Sequence, residues 1–192
     1  METRYVLSSV TRIAPFADQA FEVAPLSRGE WALGDYVAGE VIESRGPLAS
    51  VELVTGRHAE VHEGDVLVGA WGRRAATLEA VGSFEEVEED GVFHALTRAG
   101  LFGKATSISL LLPPMMRLRY LGHLWSEGAK RNMEDYVREP PDRQLSAPVI
   151  LLIGTSMSSG KTTAAKVIVR LLKQGGRRVV GVKLTGAGRY RD

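Results

Sequence analysis

Between Pro148 and Thr163 an apolar run of strand length, Val149 to Ile153, leads into a loop of small residues, and Gly160, Lys161, Thr162 and Thr163 then open an amphipathic helix. This order constrains the fold more than any other stretch. A turn of small residues between a strand and a helix points successive backbone N–H groups, and the positive end of the helix, at one spot. A di- or triphosphate can be held there with few charged side chains. In such a loop the amides from Ser156 to Thr162 hold phosphate oxygens. Lys161 reaches the β- and γ-phosphates, and the Thr162 hydroxyl completes a Mg²⁺ shell. Gly154, Thr155, Ser156, Met157, Ser158, Ser159, Gly160, Lys161, Thr162 and Thr163 are therefore the candidate binding residues, Thr163 facing the α-phosphate. Lys161 is the candidate catalytic cation and Thr162 the candidate metal ligand.

The pattern after the loop extends the expectation. Ala164, Val167, Ile168, Leu171 and Leu172 recur at the spacing of one buried helix face, opposite Lys166, Arg170 and Lys173. Gly175 and Gly176 read as the stop, and Arg178–Leu184 as a second apolar strand. Strand, helix and strand make a right-handed βαβ unit by topology. Residues 148–192 supply about two strands and one helix, whereas a nucleotide-binding parallel sheet needs several strands covered on both faces. The expectation is a partial, truncated P-loop α/β unit in an N-terminal fragment of a longer protein. Hydrolysis or phosphoryl transfer also requires a carboxylate on a later strand, so catalysis is expected only if the chain continues beyond Asp192.

The preceding chain reads differently. Short β-branched and apolar runs at 35–43, 48–54, 65–71, 75–81, 92–97, 106–112 and 116–124 are separated by glycine and acidic turn signals. With no long stretch of helical period among them, they predict an all-β barrel or sandwich-like domain. Pro113 and Pro114 end one run, because neither can donate to a ladder. The polar segment that carries Pro140 and Pro141 reads as the interdomain linker. The expected organisation is α+β overall: a β-rich domain at 1–137, a linker at 138–147, and the partial nucleotide-binding unit at 148–192.

Lys plus Arg number 24 against 23 Asp plus Glu, so whole-chain charge gives no reason to expect nucleic acid or an anionic membrane as the main partner. Without cysteine there are no disulfides, thiolate metal sites or Cys nucleophiles. No apolar run approaches the ~20 residues of a membrane span, and a soluble cytoplasmic protein is expected, with a homodimer left open. His58, Glu60 and His62 alternate, so on a strand they share one face and form a candidate metal set, read alternatively as solvated positions beside a turn. His94 and His123 lie in apolar runs and read as satisfied core or edge residues. Trp31, Trp71 and Trp125 read as packing groups. Arg117 and Arg119 read as one exposed strand face.

The loop Gly154–Thr162, with five residues between its two glycines, resembles that of dethiobiotin synthetases. Its Ser159–Thr163 ending is similar to that of molybdopterin-guanine dinucleotide biosynthesis B proteins. Both are SIMIBI-class P-loop NTPases. The resemblance covers residues 148–192 only and implies an ATP- or GTP-dependent, Mg²⁺-requiring protein. The segment Gly181–Gly186 looks like the G-x-K-P-x-x-x-G segment of dethiobiotin synthetases, with Leu184 in place of the proline. By that likeness Lys183, with Thr185, faces an unidentified small-molecule substrate, and Asp192 corresponds to an acidic residue that helps hold Mg²⁺. The reaction implied is synthetase or ligase chemistry through an acyl phosphate. The alternative is a non-enzymatic β module that binds a ligand or partner and carries a nucleotide-sensing or inert loop.

Overall fold

The structure is a computed structural model, and it describes residues 3–46, 49–76, 79–139, 146–155 and 159–184. By its internal contacts the chain divides into two units, Met1–Val137 and Arg138–Gly186. The described residues are mostly β sheet with one α-helix. The strands are β1 (Tyr5–Leu7), β2 (Glu22–Ala24), β3 (Tyr36–Glu43), β4 (Ser50–Glu52), β5 (His58–Glu60), β6 (Val66–Trp71), β7 (Arg73–Ala76), β8 (Ala80–Ser83), β9 (Val92–Ala95), β10 (Leu101–Ile108), β11 (Arg117–Ser126) and β12 (Ala129–Lys130). The helix is α1 (Lys161–Gln174).

In the first unit the pairing order is β1-β6-β3-β11-β9-β10-β8-β7, with β2 and β12 also on β11. β3 lies antiparallel to β6 and to β11, whereas β1 runs parallel to β6. The start of β10 also pairs with β6, Leu101 with Ala70 and Phe102 with Trp71. β4 and β5 form a separate two-stranded sheet.

Period-two alternation explains why β6, Val-Leu-Val-Gly-Ala-Trp, is buried along its whole length. Leu67 and Trp71 join Val37, Phe93, Phe102 and Leu118 in one core. Val66, Val68 and Ala70 point the other way and join Tyr36, Ala38 and Leu124 beneath Phe16. A strand covered on both faces needs apolar side chains at every position. Gly69 answers a different need: a Cβ there would lie 2.5 Å from the Phe102 ring and would collide with the Gly100 carbonyl oxygen.

In the first unit two of the expected runs are placed differently. The run 75–81 is not one strand but two arms of a hairpin, β7 and β8, joined where Ala76 pairs with Ala80. The run contains neither glycine nor proline to mark the reversal. The run 106–112 is displaced: β10 spans Leu101–Ile108, and Leu110 and Leu111 stand almost fully exposed beyond it. Leu112 donates its N–H to Ser109 O at 3.0 Å, so the chain turns where the hydropathy pattern continues.

In the second unit α1 is present where the pattern placed it, but the βαβ unit is not. Among the described residues, neither 149–153 nor 178–184 forms a strand. Strands exist by pairing and by covering a face, and Val149, Ile150, Leu151, Ile153, Val180, Val182 and Leu184 remain 60–87% exposed. The expected buried face of α1 is likewise uncovered: Val167 and Leu171 are 51% and 60% exposed, and no residue of the helix is buried. The helix ends as expected. Arg177 N–H donates to Leu172 O and Gly176 N–H to Lys173 O, each at 3.0 Å, while Gly176 takes φ 74°. This two-bond arrangement satisfies the last carbonyls through a left-handed glycine. Among the described residues no helix is long and apolar enough to cross a membrane.

Candidate functional site

The candidate loop lies at the N-terminus of α1. Gly160 caps the helix at φ 85°, a left-handed conformation that glycine adopts without a Cβ penalty, and its carbonyl accepts from Ala164 N–H at 2.9 Å. Lys161 is therefore the first helical residue. Side chains on a helix tilt toward its N-terminus, which turns Lys161 back over the loop, where its Nζ donates to Ser159 Oγ at 3.0 Å. Gly154 closes the contact. A Cβ on it would collide with Ser159 Oγ and sit 2.9 Å from Lys161 Cγ and Cδ. The two ends of the loop thus meet through glycine at 154, and the space a side chain would fill holds the lysine stem instead.

The electrostatics of this stretch are one-signed. Residues 146–184 carry Lys161, Lys166, Arg170, Lys173, Arg177, Arg178 and Lys183 and no Asp or Glu. An anion at the head of α1 therefore meets the positive end of the helix with no carboxylate of this stretch to repel it. The residues fit a phosphate group: a glycine cradle, a left-handed cap, a helix N-terminus and a lysine directed at it. For a divalent cation they offer less, a single hydroxyl ligand at Thr162, because hard cations take several oxygen ligands. Thr155, Ser159, Thr162 and Thr163 are exposed, as is Lys183, which lies in a segment without strand pairing. Ser156, Met157, Ser158, Thr185 and Asp192 lie outside the described residues.

The structure also assembles a polar network in the first unit that sequence reasoning did not find. Asp35, at the head of β3, is fully buried. Its Oδ2 accepts from Ala32 N–H at 2.8 Å and Lys130 Nζ at 2.7 Å, and its Oδ1 accepts from Asn132 Nδ2 at 2.8 Å. The fully buried His123 places Nε2 3.3 Å from Asp35 Oδ2 and Nδ1 2.5 Å from Tyr120 Oη. Burial pushes the Asp35 carboxyl upward. His123, Lys130, Asn132 and the Ala32 amide together outweigh it and hold the group at about 2. Antiparallel pairing of β11 with β3 sets His123 against Val37, two residues from Asp35, so no local spacing announces the pair. Full burial closes Asp35 and His123 to substrate. The network fastens the segment after β11 to the sheet, as do Tyr36 N–H to Arg131 O at 3.0 Å and Met133 N–H to Gly34 O at 2.9 Å.

The remaining candidates resolve as structural groups. His58 and Glu60 are exposed on β5. Among the described residues no group of three His, Cys, Asp or Glu side chains comes together as a metal site, so the His58–Glu60–His62 alternation does not build one. Glu60 and His62, with Ser44 and Ser50, line a cleft of about 390 Å³. His94 is a satisfied acceptor: its Nδ1 takes the Ala105 N–H at 3.2 Å, and burial, reinforced by Lys104 and Arg117, pushes it down to about 4. Trp31 stacks on the buried Trp71 at 4.9 Å, both as packing groups. Arg117 and Arg119 are exposed on β11, Arg117 bonded to Glu43 at 3.0 Å.

What the fold defines is a class: a β-rich chain with a single α-helix among the described residues. No protein-family model, no curated protein and no solved structure matches the chain.

Proposed function

We propose that residues 148–184 bind the phosphates of ATP or GTP in the manner of a P-loop, in the service of synthetase- or ligase-like nucleotide-dependent chemistry. The observation that carries this reading is the convergence of Gly154, Ser159 and Lys161 at the head of α1, where the helix dipole and a lysine face one spot. In this role Lys161 neutralises charge on the β- and γ-phosphates, Thr162 contributes one oxygen to Mg²⁺, and Thr163 faces the α-phosphate. Lys183 and Thr185 face the small-molecule substrate that the likeness to dethiobiotin synthetases implies. The β-rich unit is read as a barrel; the pairing of β10 with both β9 and β6 supports that closure.

The test is titration of the whole chain with ATP and with GTP, each with Mg²⁺, followed by calorimetry. Lys161→Ala removes a charge-assisted contact and is expected to weaken binding about 10- to 100-fold. Wild-type protein that binds neither nucleotide, or a Lys161→Ala variant that binds as well as wild type, overturns the reading.

A further inference from the structure

We infer that the Ser159 hydroxyl is a positioning group for Lys161, fixing the ammonium at the head of α1 before any phosphate arrives. This inference rests on the phosphate-binding reading of the loop and assigns Ser159 a side-chain role in addition to its backbone amide. Three observations meet on it. Ser159 Oγ accepts from Lys161 Nζ at 3.0 Å, inside the range of a well-formed hydrogen bond. The Lys161 stem lies across Gly154, where a Cβ would be 2.9 Å from both Cγ and Cδ, so the backbone itself shapes the path of the side chain. Ser159 Oγ borders the same space, since that Cβ would strike it as well. Lysine and serine are thus packed side by side against a glycine, and the lysine rotamer is selected from both sides.

The physical consequence is preorganisation. A lysine side chain is rich in rotamers, and much of that freedom is lost when its ammonium engages a phosphate. A hydroxyl that already holds the ammonium lowers that cost at the moment of binding.

The experiment uses the whole chain and three probes, inorganic pyrophosphate, ATP and GTP, the nucleotides with Mg²⁺. Ser159→Ala is expected to weaken all three alike by about fivefold, while Ser159→Thr, which keeps the hydroxyl, stays within about twofold of wild type. In a Lys161→Ala background Ser159→Ala should cost nothing further, because the hydroxyl acts through the lysine. A ligand-free measurement separates this inference from the reading beneath it. In the ¹⁵N spectrum of lysine-labelled protein the Lys161 Nζ signal should move in Ser159→Ala and hold in Ser159→Thr. A Ser159→Ala variant that binds like wild type while Lys161→Ala does not overturns the positioning role alone. An unmoved Nζ signal overturns it as well. Wild-type protein that binds none of the probes, with the Nζ signal behaving as expected, overturns the phosphate reading and shows the contact to be structural.

Discussion

Replacing Asp35 by Asn keeps the shape of the side chain and removes its charge, and it isolates what the buried carboxylate contributes to the first unit. Asp35 is held at about 2 against an ordinary 3.8. At about 1.4 kcal/mol per pH unit this corresponds to roughly 2 kcal/mol of folding stability. The sign follows from a depressed carboxyl. The contribution is fully present above pH 3.8 and is lost as the pH falls through about 2, because the unfolded chain takes up the proton first. At neutral pH Asp35→Asn also strands the Lys130 ammonium and the His123 ring beside an uncharged amide, so the expected loss is about 2–4 kcal/mol. Urea titration followed by tryptophan fluorescence reads the right part of the molecule, since Trp31, Trp71 and Trp125 all precede residue 138. Measured from pH 5 down to pH 2, the gap between wild type and variant should narrow by about 2 kcal/mol. A variant within about 0.5 kcal/mol of wild type at pH 7, or a gap that does not change with pH, would refute the reasoning.

Two further outcomes follow from the same packing. Gly69→Ala drives a Cβ against the Gly100 carbonyl and to 2.5 Å from the Phe102 ring, and backbone cannot yield as a flexible side chain can; a loss of about 1–3 kcal/mol in urea is expected, and a neutral result would mean that β6 and β10 separate easily. His94 is held neutral down to about 4 against an ordinary 6.5, so the unfolded chain binds the proton first and stability should fall as the pH drops from 6.5 to 4; His94→Asn, which cannot titrate, should flatten that slope, and an unchanged slope would assign the dependence elsewhere.

Much of the molecule was legible where chemistry is local. The helix from Lys161 to Gln174, its glycine cap and its double-glycine stop follow from residue types at adjacent positions, because helix ends are satisfied within a turn or two of chain. β3, β6 and β11 were also readable, since apolar runs bounded by turn signals mark strands whose faces are buried. The hairpin inside 75–81 and the exposed end of 106–112 were not. Hydropathy records what a residue prefers, and whether a neighbour arrives to cover it is settled elsewhere in the chain.

The sequence by itself determined the head of α1, where Gly160 takes the left-handed cap and Lys161 begins the helix, because adjacent residue types settle a helix end. Only the tertiary structure decided which polar residues matter to the β-rich unit. Asp35, Tyr120, His123, Lys130 and Asn132 are scattered over nearly a hundred positions of chain and meet because antiparallel pairing lays β11 beside β3. The same rule explains the unpaired apolar runs at 149–153 and 178–184. A helix satisfies its own backbone, whereas a strand becomes a strand only when another strand lies alongside it.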